Sequence, residues 1–195
     1  MNEANEKQNP NKVMDASRIN GIEMDVLQGT VQAIQEDPVL GECIFRASNT
    51  WLNGTNNRTT VDGFYAAKQE IAHKQTFIMD ADEPPILAGQ DQGANPVEHL
   101  LHALASCVTT SMVAHAAVLG ICIEALESEL EGDLDLRGFL GLDPNVPKGF
   151  TDIRVNFKVK TDVENLARLK QLTGFSPVFN TIVQGANVDI QIQRM

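Results

Sequence analysis

The stretch from Asn95 to Gly120, NPVEHLLHALASCVTTSMVAHAAVLG, predicts one long helix with the thiol of Cys107 near its middle. Asn95 is a good N-cap, Pro96 suits the first helical position, and Glu98 stands where a capping-box carboxylate reaches back to the cap. Apolar residues follow helical spacing at Val97, Leu100, Leu101, Leu104, Val108, Met112, Ala116 and Leu119. Alanines fill much of the remaining circumference, so we expect this helix in a core, with Cys107 shielded from bulk water.

Composition and charge exclude several classes of partner. An apolar fraction of 43% over 195 residues is typical of a globular protein with a real core. The net charge of -11 disfavours nucleic acids and anionic membranes, which need a cationic face. We expect no membrane-spanning segment, because no apolar run is long enough, and no secretory signal. Three widely spaced cysteines do not make a disulfide framework, so a cytoplasmic location is expected.

The first half of the chain predicts a tail, a helix and a small sheet. Residues 1–18 are polar and gain too little from burial to become ordered, and 19–195 is expected to form a single domain. A helical apolar stripe within 19–38 must end at Asp37-Pro38, and this short helix would suit an arm onto a partner. An antiparallel meander over 44–80 is expected to contain strands at 44–51, 59–67 and 74–80.

The last portion of the domain, 95–195, predicts a second antiparallel pair after the long helix. Positions 126–136 alternate, with an acidic side chain at every odd position. Residues 153–160 also alternate, with Arg154, Lys158 and Lys160 on the polar side. Because an acidic face beside a basic one favours cross-strand pairing, we expect these two strands to be neighbours.

Two capping signals follow. Thr161 and Glu164 form a capping-box pattern ahead of a helix that ends at Gly174, and Ser176-Pro177 starts another helix. The chain closes with an alternating pattern that predicts a last strand, with apolar positions at Val188, Ile190 and Ile192.

Cys107 is the first candidate for chemistry, although a buried cysteine is ordinarily a small apolar residue that fills space. A reactive cysteine needs a depressed pKa, because only the thiolate is a nucleophile. Cys107 lies about three turns from Asn95, beyond the reach of the helix dipole, so the stabilising charge must come from another segment. Arg58, at a turn-to-strand junction, is the candidate cation; its ordinary role would be that of a solvated turn residue.

The histidines and acidic runs give weaker signals. His115 follows Cys107 by two helical turns, about 12 Å, which is too far for direct proton transfer. His99 and His102 share one face, but the sequence offers no further metal ligands at convincing spacing. The acidic strand lacks the glycine placement of a calcium loop. Glu98 already has the capping-box role and points away from Cys107, and no metal or cofactor is predicted.

Four runs resemble the osmotically inducible protein C superfamily (OsmC/Ohr): GANPVEHLLHALASCVTTSMVAHAAVLGI, LESELEGDLDLRGFLGLD, GFTDIRVNFKVKTD and SPVFNT. The resemblance covers about Phe45 to the C-terminus. It implies an α+β fold in which antiparallel sheets of two intertwined chains wrap paired central helices, with the site at the homodimer interface. It also implies an oxidative-stress role, with thiol-dependent reduction of organic hydroperoxides through a sulfenic acid, which a second cysteine resolves.

Carried onto this chain, the resemblance assigns Cys107 as the attacking cysteine and Arg58 as the arginine that activates it. The glutamate that assists the arginine directly follows Asn-Pro in the peroxidase branches, where this chain has Val97, and Glu98 is one residue later. The resolving cysteine is replaced by Ser176, which cannot form a disulfide.

Three hypotheses follow. The first is a homodimeric one-cysteine peroxidase in which an external thiol reduces the Cys107 sulfenic acid. The second is a non-catalytic dimer that binds or senses an apolar small molecule, as the changes at Val97 and Ser176 would suit. The third is hydrolase-like chemistry from Cys107 with a histidine.

Overall fold

The computed structural model describes residues 17–194, so the predicted tail over 1–18 lies almost wholly outside the described residues. The strands are β1 (Arg18–Ile19), β2 (Ile22–Glu23), β3 (Ile44–Phe45), β4 (Ser48–Asn53), β5 (Asn56–Ala66), β6 (Gln69–Ala81), β7 (Ala125–Asp133) and β8 (Asp152–Lys160). The α-helices are α1 (Met24–Glu36), α2 (Pro96–Val118), α3 (Leu136–Phe139), α4 (Leu166–Leu172) and α5 (Pro177–Gln184). Short 3-10 turns occur at Pro38–Gly41, Pro85–Leu87, Val163–Asn165 and Thr173–Phe175.

The predicted long helix is α2, and its capping box is confirmed. The Asn95 side chain accepts from Val97 N at 2.9 Å, and Glu98 accepts from Asn95 N at 2.8 Å. One face of α2 is buried, at Leu104, Val108, Met112, Ala116 and Ala117. The opposite face carries half-exposed and exposed residues, so the expectation of a fully buried helix holds for one side of α2 in a single chain.

By length and composition α2 could also cross a membrane, which corrects our expectation that no apolar run is long enough. The core helix of a soluble protein meets the same criteria, so this is weak evidence for a span. Here α2 packs against α4, α5 and β7.

The main core lies between α2, α4 and the β7–β8 pair. Its buried members are Met112, Ala116, Ile121, Leu169 and Leu172, and Ile123, Leu126, Phe157 and Val159 pack against them. The predicted antiparallel pairing of β7 with β8 is confirmed, with Glu129 bonded to Lys158 at 3.0 Å and Asp133 to Arg154 at 2.5 Å. The alternation therefore divides this sheet into a core face and an ion-paired outer face.

The N-terminal helix begins later than predicted. Residues 18–23 form a hairpin whose turn contains Asn20 and Gly21, both with positive φ. The Asn20 amide donates to Ile121 O at 2.9 Å and its oxygen accepts from Ile123 N at 2.8 Å. Because this tertiary contact fixes the turn, α1 starts at Met24, and it ends before Asp37-Pro38 as predicted.

The expected meander is present as β3 to β6. Strand β5 pairs antiparallel with β6, and its other edge pairs with β4 and then β3, so the predicted first strand is broken in two. Ala67 and Lys68 make the β5–β6 turn with φ values of 48° and 63°. The Lys68 ammonium is ion-paired with Asp37 at the end of α1, which ties α1 to the meander.

Three predictions for the last third are wrong in detail. The acidic strand stops at Asp133, because Asp135 caps the short helix α3 within what we expected to be strand and loop. Thr161 does not cap the next helix: its hydroxyl donates to Cys122 O at 2.7 Å instead. Residues 188–192 form no strand in the described chain, and Ile192 is 93% exposed.

Large apolar side chains remain uncovered in a single chain. In the meander, Phe45 is 76% and Trp51 70% exposed, and Phe77 and Ile78 are also exposed. Beyond α5, Val188, Ile190 and Ile192 are exposed as well. Exposed apolar surface of this extent is typical of a chain that associates with another protein surface.

Candidate functional site

Cys107 lies in the middle of α2, one position before the buried Val108, and is itself half-buried. It is a free thiol, like Cys43 and Cys122. Among the hydrogen bonds of residues 17–194, none reaches its Sγ from Arg58 or from any histidine. The third hypothesis, which needs a histidine within hydrogen-bond reach of the thiol, therefore lacks support in the single chain.

Arg58 lies on β5 and is bound to Asp80, its direct partner on β6. Its Nε donates to Asp80 Oδ1 at 2.7 Å and its Nη2 donates to Oδ2 at 2.8 Å. This two-point bond raises the pKa of the Arg58 guanidinium and lowers the pKa of the Asp80 carboxyl. Arg58 is thus a cation paired with one carboxylate, and because its side chain is 46% exposed it is also solvated, as the alternative interpretation expected.

Asp80 also lies against α2 through its backbone. His99 Nε2 is 3.3 Å from Asp80 O, and His99 is two helical turns before Cys107. The arginine–aspartate pair is therefore attached at the N-terminal half of the helix that carries the thiol. Nothing in the local sequence marks Asp80 as the partner of Arg58.

A buried carboxylate, Asp82, fixes the segment that joins the meander to α2. Asp82 is 2% exposed and accepts from the Thr55 hydroxyl at 2.6 Å and from Glu83 N at 2.9 Å. Its second oxygen accepts from Gln90 N and Gln92 N at 3.1 and 3.2 Å. These bonds lower the pKa of Asp82, the Thr55 hydroxyl contributing most. Asp82 was also missed, because nothing local in the sequence marks a carboxylate that collects four donors.

Ser176, at the position the resemblance gives to the resolving cysteine, has a structural role. It is fully buried, and its Oγ accepts from Phe179 N at 3.2 Å as the predicted N-cap of α5. Next to it, the Phe175 ring stacks on His115 with centroids 4.0 Å apart. His115 is thus a packed histidine at the C-terminal end of α2.

Two adjoining apolar cavities lie on the buried side of α2. One, of about 490 Å³, lies between α2, β8 and α4, and the other, of about 500 Å³, extends toward α5. Leu104, Val155 and Phe179 line both. Within the described chain, no group of three or more histidine, cysteine or acidic side chains could hold a metal ion.

The comparisons with known proteins decide the family. A family model described as "OsmC-like protein" matches residues 89–191, which is more than half of the chain and includes α2 and everything to the end of the β8–α5 region. The chain belongs to the OsmC-like protein family. The match confirms the resemblance seen in the sequence motifs. The search of curated proteins found no match to this OsmC-like chain.

Solved structures give the same fold. One neighbour, from Psychrobacter arcticus, is described as an osmotic stress induced and detoxification response protein; it is 14% identical, has a TM-score of 0.53, and the match covers 69% of this chain and 85% of that one. An OsmC like protein from Mycoplasma pneumoniae is 17% identical with a TM-score of 0.52, covering 72% and 87%. These likenesses show the mixed α+β fold of the OsmC-like family.

In this OsmC-like protein, Val97 occupies the position at which the resemblance expects a glutamate, and Glu98 is one residue later. Val97 has no carboxylate, and the Glu98 carboxylate is engaged at the N-terminus of α2 by Asn95 N. The structure brings Arg58 to Asp80 and Glu98 to Asn95, and it does not bring Arg58, Glu98 and Cys107 together within one described chain.

Proposed function

We propose that this OsmC-like protein is a homodimer that reduces organic hydroperoxides through Cys107, with an external thiol as reductant. The observation that carries the proposal is the free, half-buried Cys107 thiol in the middle of the family's central helix. The exposed apolar side chains of the meander and the C-terminal segment support the presence of a second copy that buries them. Arg58, which does not bond Cys107 in one chain, would then act at the interface between the copies.

The reaction consumes one hydroperoxide and two thiol groups. The Cys107 thiolate attacks the distal peroxide oxygen, forming an S–O bond as the O–O bond breaks, and the alkoxide leaves as the alcohol after taking a proton. The first reductant thiol attacks the sulfenic sulfur and releases water, leaving a mixed disulfide. The second thiol attacks that disulfide and regenerates Cys107. Because Ser176 has no sulfur, the resolving thiols come from outside the protein, as a reducing cytoplasm would supply.

Hydroperoxide consumption tests the chemistry. With cumene hydroperoxide and dithiothreitol, we expect steady turnover that Cys107→Ser abolishes and that Cys43→Ser, Cys122→Ser and Ser176→Ala retain. Mass spectrometry after peroxide challenge should find a dimedone-trapped sulfenic acid on Cys107. Absence of both turnover and the adduct would refute the proposal. Sedimentation should give a particle of twice the 21.3 kDa chain mass.

A second candidate function is the binding of an apolar small molecule, favoured by the two adjoining cavities beside Leu104, Val155 and Phe179. Their size and apolar lining are those of small-molecule sites. Native mass spectrometry of the purified protein should then reveal a bound molecule while Cys107 remains reduced. A ligand-free dimer that turns over peroxide would refute this candidate.

A further inference from the structure

We infer that Asp80 is the residue that positions Arg58 for Cys107, in place of the glutamate that the family resemblance led us to expect. The inference rests on the proposed function, since it concerns how the same site is organised. Asp80 does not touch the thiol; it acts through the guanidinium and is therefore a positioning residue.

The residues at the expected glutamate position are not available for this role. Val97 is apolar. Glu98 accepts from Asn95 N at 2.8 Å as the second half of the capping box, and no bond from Glu98 to an arginine occurs within 17–194. Moving the Glu98 carboxylate to Arg58 would leave the Asn95 N–H without its partner and weaken the start of α2.

Asp80 has the geometry that the role requires. Its two carboxylate oxygens accept hydrogen bonds from Arg58 Nε and Nη2 at 2.7 and 2.8 Å. This two-point arrangement fixes both the position and the plane of the guanidinium. Since a guanidinium carries five N–H donors, the two hydrogens on Nη1 and the second on Nη2 stay free to donate to a thiolate. The carboxylate therefore holds the arginine while leaving an unoccupied donor edge.

The end of β6 that carries Asp80 is itself held in place. Gly93 packs so closely on the Asp80 carbonyl that a Cβ there would lie 2.5 Å from its oxygen. His99 on α2 lies 3.3 Å from the same oxygen, and Asp82, two residues later, is bound by four donors. Asp80 therefore fixes the orientation of Arg58 relative to α2, the helix that carries Cys107.

Removing the Asp80 charge distinguishes positioning from simple neutralisation. If Asp80 only cancels the charge of Arg58, then Asp80→Asn makes the thiolate easier to form. If Asp80 positions Arg58, the same change releases the guanidinium and makes the thiolate harder to form. We expect the second result, with an iodoacetamide pH–rate profile for Cys107 displaced upward by about one pH unit, or tenfold slower alkylation below its midpoint.

The measurement uses the full chain carrying Cys43→Ser and Cys122→Ser, so that Cys107 is the reacting thiol. Asp80→Glu, which keeps the carboxylate, should recover most of the parent profile. The matched control is Glu70→Gln, because Glu70 binds Arg46 through two points at 2.7 and 3.0 Å on the same sheet. Glu70 faces Tyr65 and Asp80 faces Arg58, and these two positions of β5 are seven residues apart, about 23 Å of extended strand, so Glu70→Gln should leave the Cys107 profile unchanged.

Arg58→Ala separates failure of this inference from failure of the proposed function. An Arg58→Ala profile equal to the parent would refute Arg58 as the activating cation. If Arg58→Ala displaces the profile but Asp80→Asn leaves it unmoved or displaces it downward, the role of Asp80 is overturned and the proposed function stands. The same conclusion follows if Glu98→Gln, and not Asp80→Asn, displaces the profile upward. We expect Arg58→Ala/Asp80→Asn to match Arg58→Ala. If Asp80→Asn fails to fold, Asp80→Ser takes its place: an upward-displaced profile supports the role, and an unmoved or downward-displaced profile overturns it.

Discussion

Leu169→Ala should sharply reduce the free energy of unfolding, because α4 packs against the buried face of α2, the helix that carries Cys107. Leu169 is 2% exposed and belongs to the cluster that contains Met112, Ala116 and Leu172. The change removes three carbon groups, which at about 0.8 kcal/mol for each buried CH₂ gives roughly 2.4 kcal/mol of lost transfer energy. The cavity left behind raises the expected loss to about 3–4 kcal/mol.

Leu166→Ala is the matched control on the same helix. Leu166 is 44% exposed, so the same three carbons bury about half as much surface and leave no closed cavity. We expect a loss of about 1.3 kcal/mol from the buried fraction.

Equilibrium urea unfolding gives both free energies, and it is run at fixed protein concentration because the stability of the proposed dimer would depend on concentration. Thermal unfolding should place Leu169→Ala roughly 6–16 °C below the parent, at about 2–4 °C per kcal/mol for a chain of this size. Equal losses for Leu166→Ala and Leu169→Ala would refute the conclusion that α4 seals the core behind α2.

Ser176→Ala should lower the free energy of unfolding by about 1 kcal/mol through loss of the α5 cap, measured in urea, and a neutral effect would contradict the cap. Gly89→Ala should destabilise by about 1–3 kcal/mol, because its Cβ would lie 1.7 Å from Glu83 O; Gly149→Ala, with open space around it, should change little, and equal effects would refute the tight loop. Asp82 has a lowered pKa in the folded chain, so its contribution is present above its unfolded value of about 3.9 and is lost as pH falls through the lower folded value. Asp82→Asn should therefore flatten the acid-side fall of the urea midpoint, and an unchanged fall would contradict this.

Local sequence patterns correctly predicted two helix caps and one strand pairing. The capping box of α2, the N-cap at Ser176 and the charge pairing of β7 with β8 depend on residues a few positions apart or on simple alternation, and all three are confirmed. Thr161 carries an equally good capping pattern, yet its hydroxyl bonds the Cys122 carbonyl 39 residues away. A distant acceptor of this kind leaves no trace in the local sequence.

The partner of Arg58 could not be predicted, because it depends on an irregular register. Near the turn, Ala66 faces Gln69 and Gly63 faces Ala72; continued regularly, that pairing would place Phe77 opposite Arg58. The register shifts between Val61 and Gly63, and three extra residues on β6 bring Asp80 opposite Arg58 instead. Bulges of this kind re-aim side chains and are not encoded by period-two alternation. The assignment of Cys107, Arg58 and Glu98 to one catalytic group stays a prediction.

The tight turn at Ala67-Lys68 has a consequence for how this chain tolerates change. Both residues have left-handed backbone conformations, which asparagine and glycine adopt with less strain. Replacing Lys68 by glycine would relax the hairpin while removing the cation that tethers Asp37 and, with it, the N-terminal helix. Lys68→Gly would therefore exchange a less strained turn for the loss of the ion pair that joins α1 to the meander.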